Sequence, residues 1–235
     1  VVTAAIHQPH YLPYPGLMDK IARADVFVWL DDAQFSRGGW HNRNRVKTAQ
    51  GALTVTVPIT RRPPAPLSAT CIAGQGWRRR HHATLRQAYA HAPYVDCVAS
   101  LADELYSTAY ATLGELNLVC CRLLTQAMGI TTPQILASSL GPTRASRTAH
   151  LVELCRRVGA DTYLAGDGSA VYLDTAAFDG PVRLRWQRYR TPRYRQQHPR
   201  IGFLPDLSVI DLLANTGDQA LDILTSARDA TAGTA

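Results

Sequence analysis

The chain has no apolar run approaching the roughly 18 residues that a bilayer-spanning helix needs, and no basic-then-apolar leader opens it. A cytoplasmic protein without a membrane partner is therefore expected. Its five cysteines, at positions 71, 97, 120, 121 and 155, are an odd set without a CxxC pair. That argues against a disulfide framework and a structural zinc, and leaves them as small core residues. Also missing are a GxSxG elbow, a GxxxxGK[ST] loop and a GxGxxG turn after the first strand. Their absence sets aside serine hydrolases, P-loop enzymes and simple dinucleotide oxidoreductases. There is no internal repeat, low-complexity tract or linker, so one domain over 1–225 is expected, with 226–235 as a disordered tail.

What remains is an ordinary globular composition, 46% hydrophobic and 18% charged, with a net charge of +7. The excess charge is local: residues 183–200 contain seven arginines (183, 185, 188, 190, 193, 195 and 200) and no acid. Subtracting them leaves 7 − 7 = 0 for the rest of the chain. A neutral domain with one cationic strip points to a local anionic ligand rather than to general coating of nucleic acid. Trp186, Tyr189 and Tyr194 interleave with the arginines, a mixture suited to phosphates and to stacking on bases or sugars. Arg188, Arg190, Arg193 and Arg195 are taken as substrate-binding candidates.

The stretch from Ile6 to Thr48 organises the chain. Residues 1–6 form an apolar run stopped by prolines at 9, 13 and 15. Residues 16–24 carry Leu17, Ile21 and Ala24 at helical spacing, and Val26–Leu30 is a second apolar run ended by Asp31 and Asp32. Strand, helix and strand in so short a span make a βαβ unit, with parallel neighbouring strands. Further along, the pattern predicts a strand over Leu53–Ile59, and a loop over 60–76 able to act as a lid. Helices are predicted over Trp77–Ala90, Leu101–Leu113 and Leu116–Met128, then a strand over Gln134–Ser138. A helix over Ser146–Val158 and strands over Thr162–Ala165 and Val182–Gln187 follow. The fold class expected is α/β: a mainly parallel sheet, Rossmann-like or nucleotidyltransferase-like in outline, with a helical insertion near 77–128.

Open parallel sheets bind ligands beyond the carboxyl ends of their strands. After the first strand stand His7, Gln8, His10 and Tyr11; after the second stand Asp31, Asp32 and Gln34. A histidine there suits general acid or base work, since its ordinary pKa of about 6.5 allows proton exchange near neutrality. His7 and His10 fall in a proline turn without a third ligand, so no metal is expected. Asp31 and Asp32 point to opposite faces of an extended chain. One of them could meet an ammonium group, a sugar hydroxyl or Mg²⁺, or both could stabilise a turn. Residues 40–48 alternate, which would put Asn42 and Asn44 on one face and Arg43, Arg45 and Lys47 on the other as an anion or carbonyl clamp. Asp167 sits in a glycine loop, 166–168, at the end of a later strand.

The wording HQPHYLPYPGLMDKI, ADVFVWLDDAQFS and WHNRNRVKT resembles the WbqC-like family. The likeness continues through Trp77 with His81 or His82, through 163–174, and through GFLPDLSVIDLLANTG at 202–217. Where the family pattern has Asn this chain has His10, so no family role carries over to that position. The resemblance implies an enzyme that transfers glycine or a related aminoacyl group to an amine or hydroxyl of a sugar or small metabolite. It would act in polysaccharide or specialised-product biosynthesis, with His81 among the substrate-binding residues. On this reading His7 is the base, oriented by Asp31 or Asp32, and Asn42, Arg43 and Arg45 donate to the oxyanion. The arginine strip would seat an ATP/Mg-derived or aminoacyl-tRNA donor. Two alternatives stay open: an ATP-dependent nucleotidyl- or adenylate-forming enzyme, and a non-catalytic RNA-binding module.

Overall fold

Two short apolar runs, Thr3–His7 (β1) and Val26–Trp29 (β2), are joined by the helix Pro15–Ala22 (α1), whose proline at the first helical position presets the backbone. The strands pair in parallel, Ala4 opposite Val26 and Ile6 opposite Val28. The structure, a computed structural model, describes residues 1–60 and 65–226. After β2 come the antiparallel hairpin Arg43–Thr48 (β3) and Gly51–Thr56 (β4) and the helices Gly76–Ala88 (α2), Val95–Ser107 (α3) and Leu113–Ala127 (α4). Then follow Gln134–Leu136 (β5), Arg147–Arg157 (α5), Thr162–Ala165 (β6), Arg183–Trp186 (β7), Val209–Thr216 (α6) and Ala220–Ser226 (α7). The main sheet has five parallel strands in the order β5-β2-β1-β6-β7. The chain is thus a single α/β domain with a mainly parallel sheet, and α2 to α4 form the helical insertion.

Strand alternation divides the core in two. Ala4, Ile6, Val28 and Tyr163 pack with Leu154 and Cys155 of α5 on one face. Ala5, Phe27, Trp29 and Leu164 join the larger cluster on the other, with Leu17 and Ile21 of α1, the insertion and α6. Helix α4 anchors that side. Thr112 accepts from the Glu115 N–H while the Glu115 carboxylate accepts from the Thr112 N–H, a complete capping box.

The sequence pattern misplaces α3. It suggests Leu101–Leu113, whereas the helix runs Val95–Ser107, because Val98, Ala102 and Leu105 form the buried stripe and Thr108 leaves in an extended conformation. Of the supposed lid, 61–64 lie outside the described residues. The part that follows is pinned: Leu67 is fully buried, and its N–H donates to Ala33 O at 2.8 Å. The expected tail likewise lies beyond the described residues from 227 onward.

Gly114 makes the contact between α4 and that pinned turn. A Cβ there would stand 3.0 Å from Leu67 C and Ser68 N, both backbone atoms that cannot rotate away. Gly114→Ala is therefore expected to destabilise by about 1–3 kcal/mol, outweighing the roughly 1 kcal/mol gained in helix propensity. Urea unfolding measures it; an unchanged midpoint would mean that the turn yields freely.

Candidate functional site

The prolines after β1 keep its continuation from becoming helix until Pro15, so residues 8–14 cross the carboxyl edge of the sheet as a turn. The turn is fastened from three sides. The Asn117 amide of α4 donates to Pro9 O at 3.0 Å and to His41 O at 2.8 Å, and Asn44 of β3 donates to Leu12 O at 2.6 Å. The N–H of Val209, at the start of α6, donates to Pro13 O at 2.8 Å. A scaffold held this firmly gives its side chains fixed directions.

Above the turn opens a cavity of ≈ 1340 Å³. Its lining brings together the ends of β1, β2 and β6, the first turn of α5 and the segment after β7. Of the residues singled out from the sequence, His7, Gln8, His10, Asp32, Gln34 and Asp167 line it. Tyr189, noted among the arginines of 183–200, lines it as well, and so do Lys20, Arg147, His150 and Tyr163, which sequence reasoning missed.

Three imidazoles stand in a row: the rings of His7 and His10 are 4.8 Å apart, and those of His10 and His41 5.3 Å apart. Their hydrogen bonds fix two of the tautomers. His7 Nδ1 lies 2.8 Å from Gln8 O, and a carbonyl only accepts, so Nδ1 carries the proton and Nε2 keeps its lone pair. His41 Nδ1 accepts from the Ser36 N–H at 3.1 Å, so its Nε2–H donates to Gln8 Oε1. Gln8 consequently keeps its amide N–H groups for a ligand. His10 Nδ1 is buried without a protein partner among the described residues.

Burial dominates the electrostatics. It lowers His7 to about 3, aided by the charge of Lys20, and holds His10 well below its usual range, aided by His7. His41 is lowered by the same loss of solvent. All three are neutral at pH 7. Lys20 is only 3% exposed; its Nζ donates to Ile6 O at 2.9 Å and lies 5.7 Å from the Tyr163 ring centroid. No carboxylate pairs with it among the described residues, and burial lowers it to about 7. The signal for Lys20 was faint in the sequence: a lone cation on the second turn of a helix reads as solvated surface.

Several expected site residues are placed elsewhere. Asp31 accepts from Ser138 N at 3.0 Å and Ser138 Oγ at 2.6 Å, capping the turn after β5. The clamp expected on 42–47 is not assembled. Asn42 donates to Val57 O at 2.8 Å, Arg43 to Gly38 O, and Arg45 pairs with Asp206 at 3.4 Å. These three bind loops of their own chain and do not line the cavity. Lys47 is fully buried rather than beside Arg43 and Arg45, donating to Gln196 Oε1 at 3.0 Å and Gly202 O at 2.6 Å. Tyr11 and His81 meet each other, Tyr11 Oη to His81 Nδ1 at 2.8 Å, in a buried cluster with Tyr106 that is not part of the cavity wall. Alternation alone could not foresee this, because partners distant in sequence, Asp206 for Arg45 and Gln196 and Gly202 for Lys47, take up the donors.

The seven arginines of 183–200 are all exposed, and none pairs with a carboxylate among the described residues. The strip meets the cavity at its first part: Gln187 and Tyr189 line the wall, and the Arg188 N–H donates to Asp167 Oδ1 at 3.2 Å. Arg193 lies over the Phe203 ring, 5.5 Å from its centroid. Arg190, Arg193 and Arg195 do not line the cavity.

Among the described residues no three of His, Cys, Asp and Glu stand close enough to hold a metal ion. Among the described residues no helix is long and apolar enough to cross a membrane. No solved structure matches the chain significantly. An uncharacterized protein of Mycobacterium tuberculosis is 34% identical over 226 residues, covering 94% of this chain and 96% of that protein. The family model described as the WbqC-like protein family matches residues 8–223, from the cavity turn to the last helix, and the chain belongs to that family.

Proposed function

We propose that the protein transfers an aminoacyl group, glycine or a close analogue, to an amine or hydroxyl of a sugar or small metabolite within this cavity. The observation that supports it best is the composition of the cavity floor, where two neutral imidazoles stand with a buried amine whose proton affinity is lowered to near neutrality. Acyl transfer requires a group that accepts the nucleophile's proton and donors for the oxyanion. His7, lowered to about 3, is a weak base; it acts as the neutral acceptor that orients an acceptor N–H or O–H through Nε2. Lys20, lowered to about 7, takes the proton at working pH. The Gln8 amide and the Arg147 guanidinium, both on the wall, donate to the oxyanion or to a carboxylate. Asp32, on the wall and exposed, receives an ammonium or hydroxyl group of the substrate.

The donor's phosphates lie along the strip that leaves the cavity at Tyr189. Neutralising Arg188, Arg190, Arg193 and Arg195 together is expected to weaken donor binding by at least about tenfold without harming the fold, since these exposed side chains form no ion pair among the described residues. A titration with glycyl-tRNA at two ionic strengths checks this, and a steep salt dependence marks several phosphate contacts. Equal affinity in both proteins removes the strip as donor seat.

The reaction itself is tested by mass spectrometry of candidate acceptors incubated with the protein and either glycyl-tRNA or glycine with Mg-ATP. Acceptors gaining a glycyl group support the reading. Pyrophosphate release with an adenylated or nucleotidylated product would replace it with nucleotidyl transfer, and RNA binding without turnover would replace it with a binding module.

A further inference from the structure

Only two of the 25 Lys and Arg side chains are lysines, Lys20 and Lys47, and both are buried, at 3% and 0% exposure. Their surroundings differ. Lys47 donates to two oxygens, Gln196 Oε1 and Gly202 O, and senses the nearby carboxylate of Asp211. Lys20 donates to one carbonyl, Ile6 O, pairs with no carboxylate among the described residues, and lines the cavity. An arginine can hardly ever discharge, whereas a lysine held in such a place can present a free amine. A free amine also does what no imidazole or guanidinium does well: it condenses with a carbonyl group.

We infer that Lys20 is a carbonyl-reactive amine, which forms a Schiff base with an aldehyde or ketone that bears an anionic group and enters through the cavity. The Nζ lone pair attacks the carbonyl carbon to give a carbinolamine. The carbonyl oxygen then leaves as water with the two amine hydrogens, and the C=N bond remains; nothing is oxidised or reduced. Tyr163, Cys155 and Ile6 around the amine leave it only 3% exposed, and this loss of solvent favours the neutral nucleophile. His7 Nε2, which keeps its lone pair, accepts a hydrogen bond from the carbinolamine hydroxyl and orients it, while the protons that leave with the oxygen come from the amine. The anionic group is assigned to Arg147, whose guanidinium belongs to the same wall. Because burial brings Lys20 to about 7, roughly half of it is unprotonated at neutrality, against well under 1% for an ordinary lysine. This activity goes beyond aminoacyl transfer, and its test does not require an aminoacyl donor.

The whole protein is incubated at pH 7 with pyridoxal 5′-phosphate, an aldehyde with a phosphate, and reduced with cyanoborohydride; unphosphorylated pyridoxal is run in parallel. Peptide mass spectrometry reads each amine separately, which the scarcity of lysine makes unambiguous. Lys20 is expected to be labelled at least about tenfold faster than Lys47, and faster by the phosphorylated than by the plain aldehyde. Lys20→Arg, with unchanged circular dichroism, should lose the cavity adduct and keep that of the N-terminal amine. Labelling confined to the N-terminal amine, or equal on Lys20 and Lys47, overturns the inference. Wild-type protein alone decides this comparison, so a variant that failed to fold would not obscure it.

Discussion

Below about pH 6 the protein is expected to lose stability steeply. His7 and His81 are lowered by burial to about 3 and about 4, and His10 and His41 are lowered as well. In the unfolded chain all four titrate near 6.5. Between pH 6.5 and 4 the unfolded state therefore binds protons that the folded state refuses, so stability falls as pH falls. Each such group contributes a slope of up to about 1.4 kcal/mol per pH unit. One buried acid opposes them. Asp211 is raised to about 6 by burial, so its contribution is full below its unfolded value and is lost as pH rises through 6. Four groups against one leave a net acid lability of several kcal/mol by pH 4, a large part of the total stability of a domain this size. Urea unfolding at pH 7.5, 6 and 5 measures it. A midpoint that stays constant over that range would show that the histidines are not held neutral in the folded protein, and would remove the neutral-imidazole floor from the functional reading.

Lys20→Met is expected to make the protein more stable and inactive. The buried amine must give up its ordinary proton affinity to fold, a cost of about 1.4 kcal/mol for every unit of pKa that it loses at neutral pH. Methionine of similar length carries no such cost and fills the same apolar pocket beside Tyr163 and Cys155. A gain of at least about 1 kcal/mol is expected at pH 7. The pH dependence carries the signature: because its folded value lies below its unfolded one, Lys20 makes wild-type stability rise from pH 7 to 9, and the variant should lose that slope. Glycyl transfer, once an acceptor is identified, should fall by at least about a hundredfold in a protein that melts later than wild type. A variant that is less stable than wild type and retains turnover would return Lys20 to a purely structural role.

Much of the scaffold was legible before folding. The apolar runs at 3–7, 26–29 and 162–165 are too short for helices and too continuous for half-exposed strands, and they are the three central strands of the parallel sheet. The prolines at 9, 13 and 15 marked where the first strand stops. That placed His7, Gln8, His10, Asp32, Gln34 and Asp167 at the carboxyl ends of strands, where the cavity opens. The arginine strip was visible because seven cations without an acid among them are costly to bury, and all seven side chains are exposed.

The sequence by itself determined the order of most elements, the parallel pairing of the first two strands and the edge on which the cavity opens, because those depend on local periodicity and on chain connectivity. Only the tertiary structure decided which polar side chains are spent on the scaffold and which are left for a ligand. Asn42, Arg43, Arg45 and Lys47 have the same alternating pattern as an exposed clamp, but each is bound to its own chain, Arg45 to a loop 161 residues away and Lys47 to residues 149 and 155 positions away. Lys20 is the converse case. Its place on a short helix looks like surface, and it becomes a near-neutral amine only because β6 and α5, more than a hundred residues downstream, bring Tyr163 and Cys155 against it and take its water away. Desolvation is a property of what surrounds a side chain, so no reading of its neighbours in sequence could have found it.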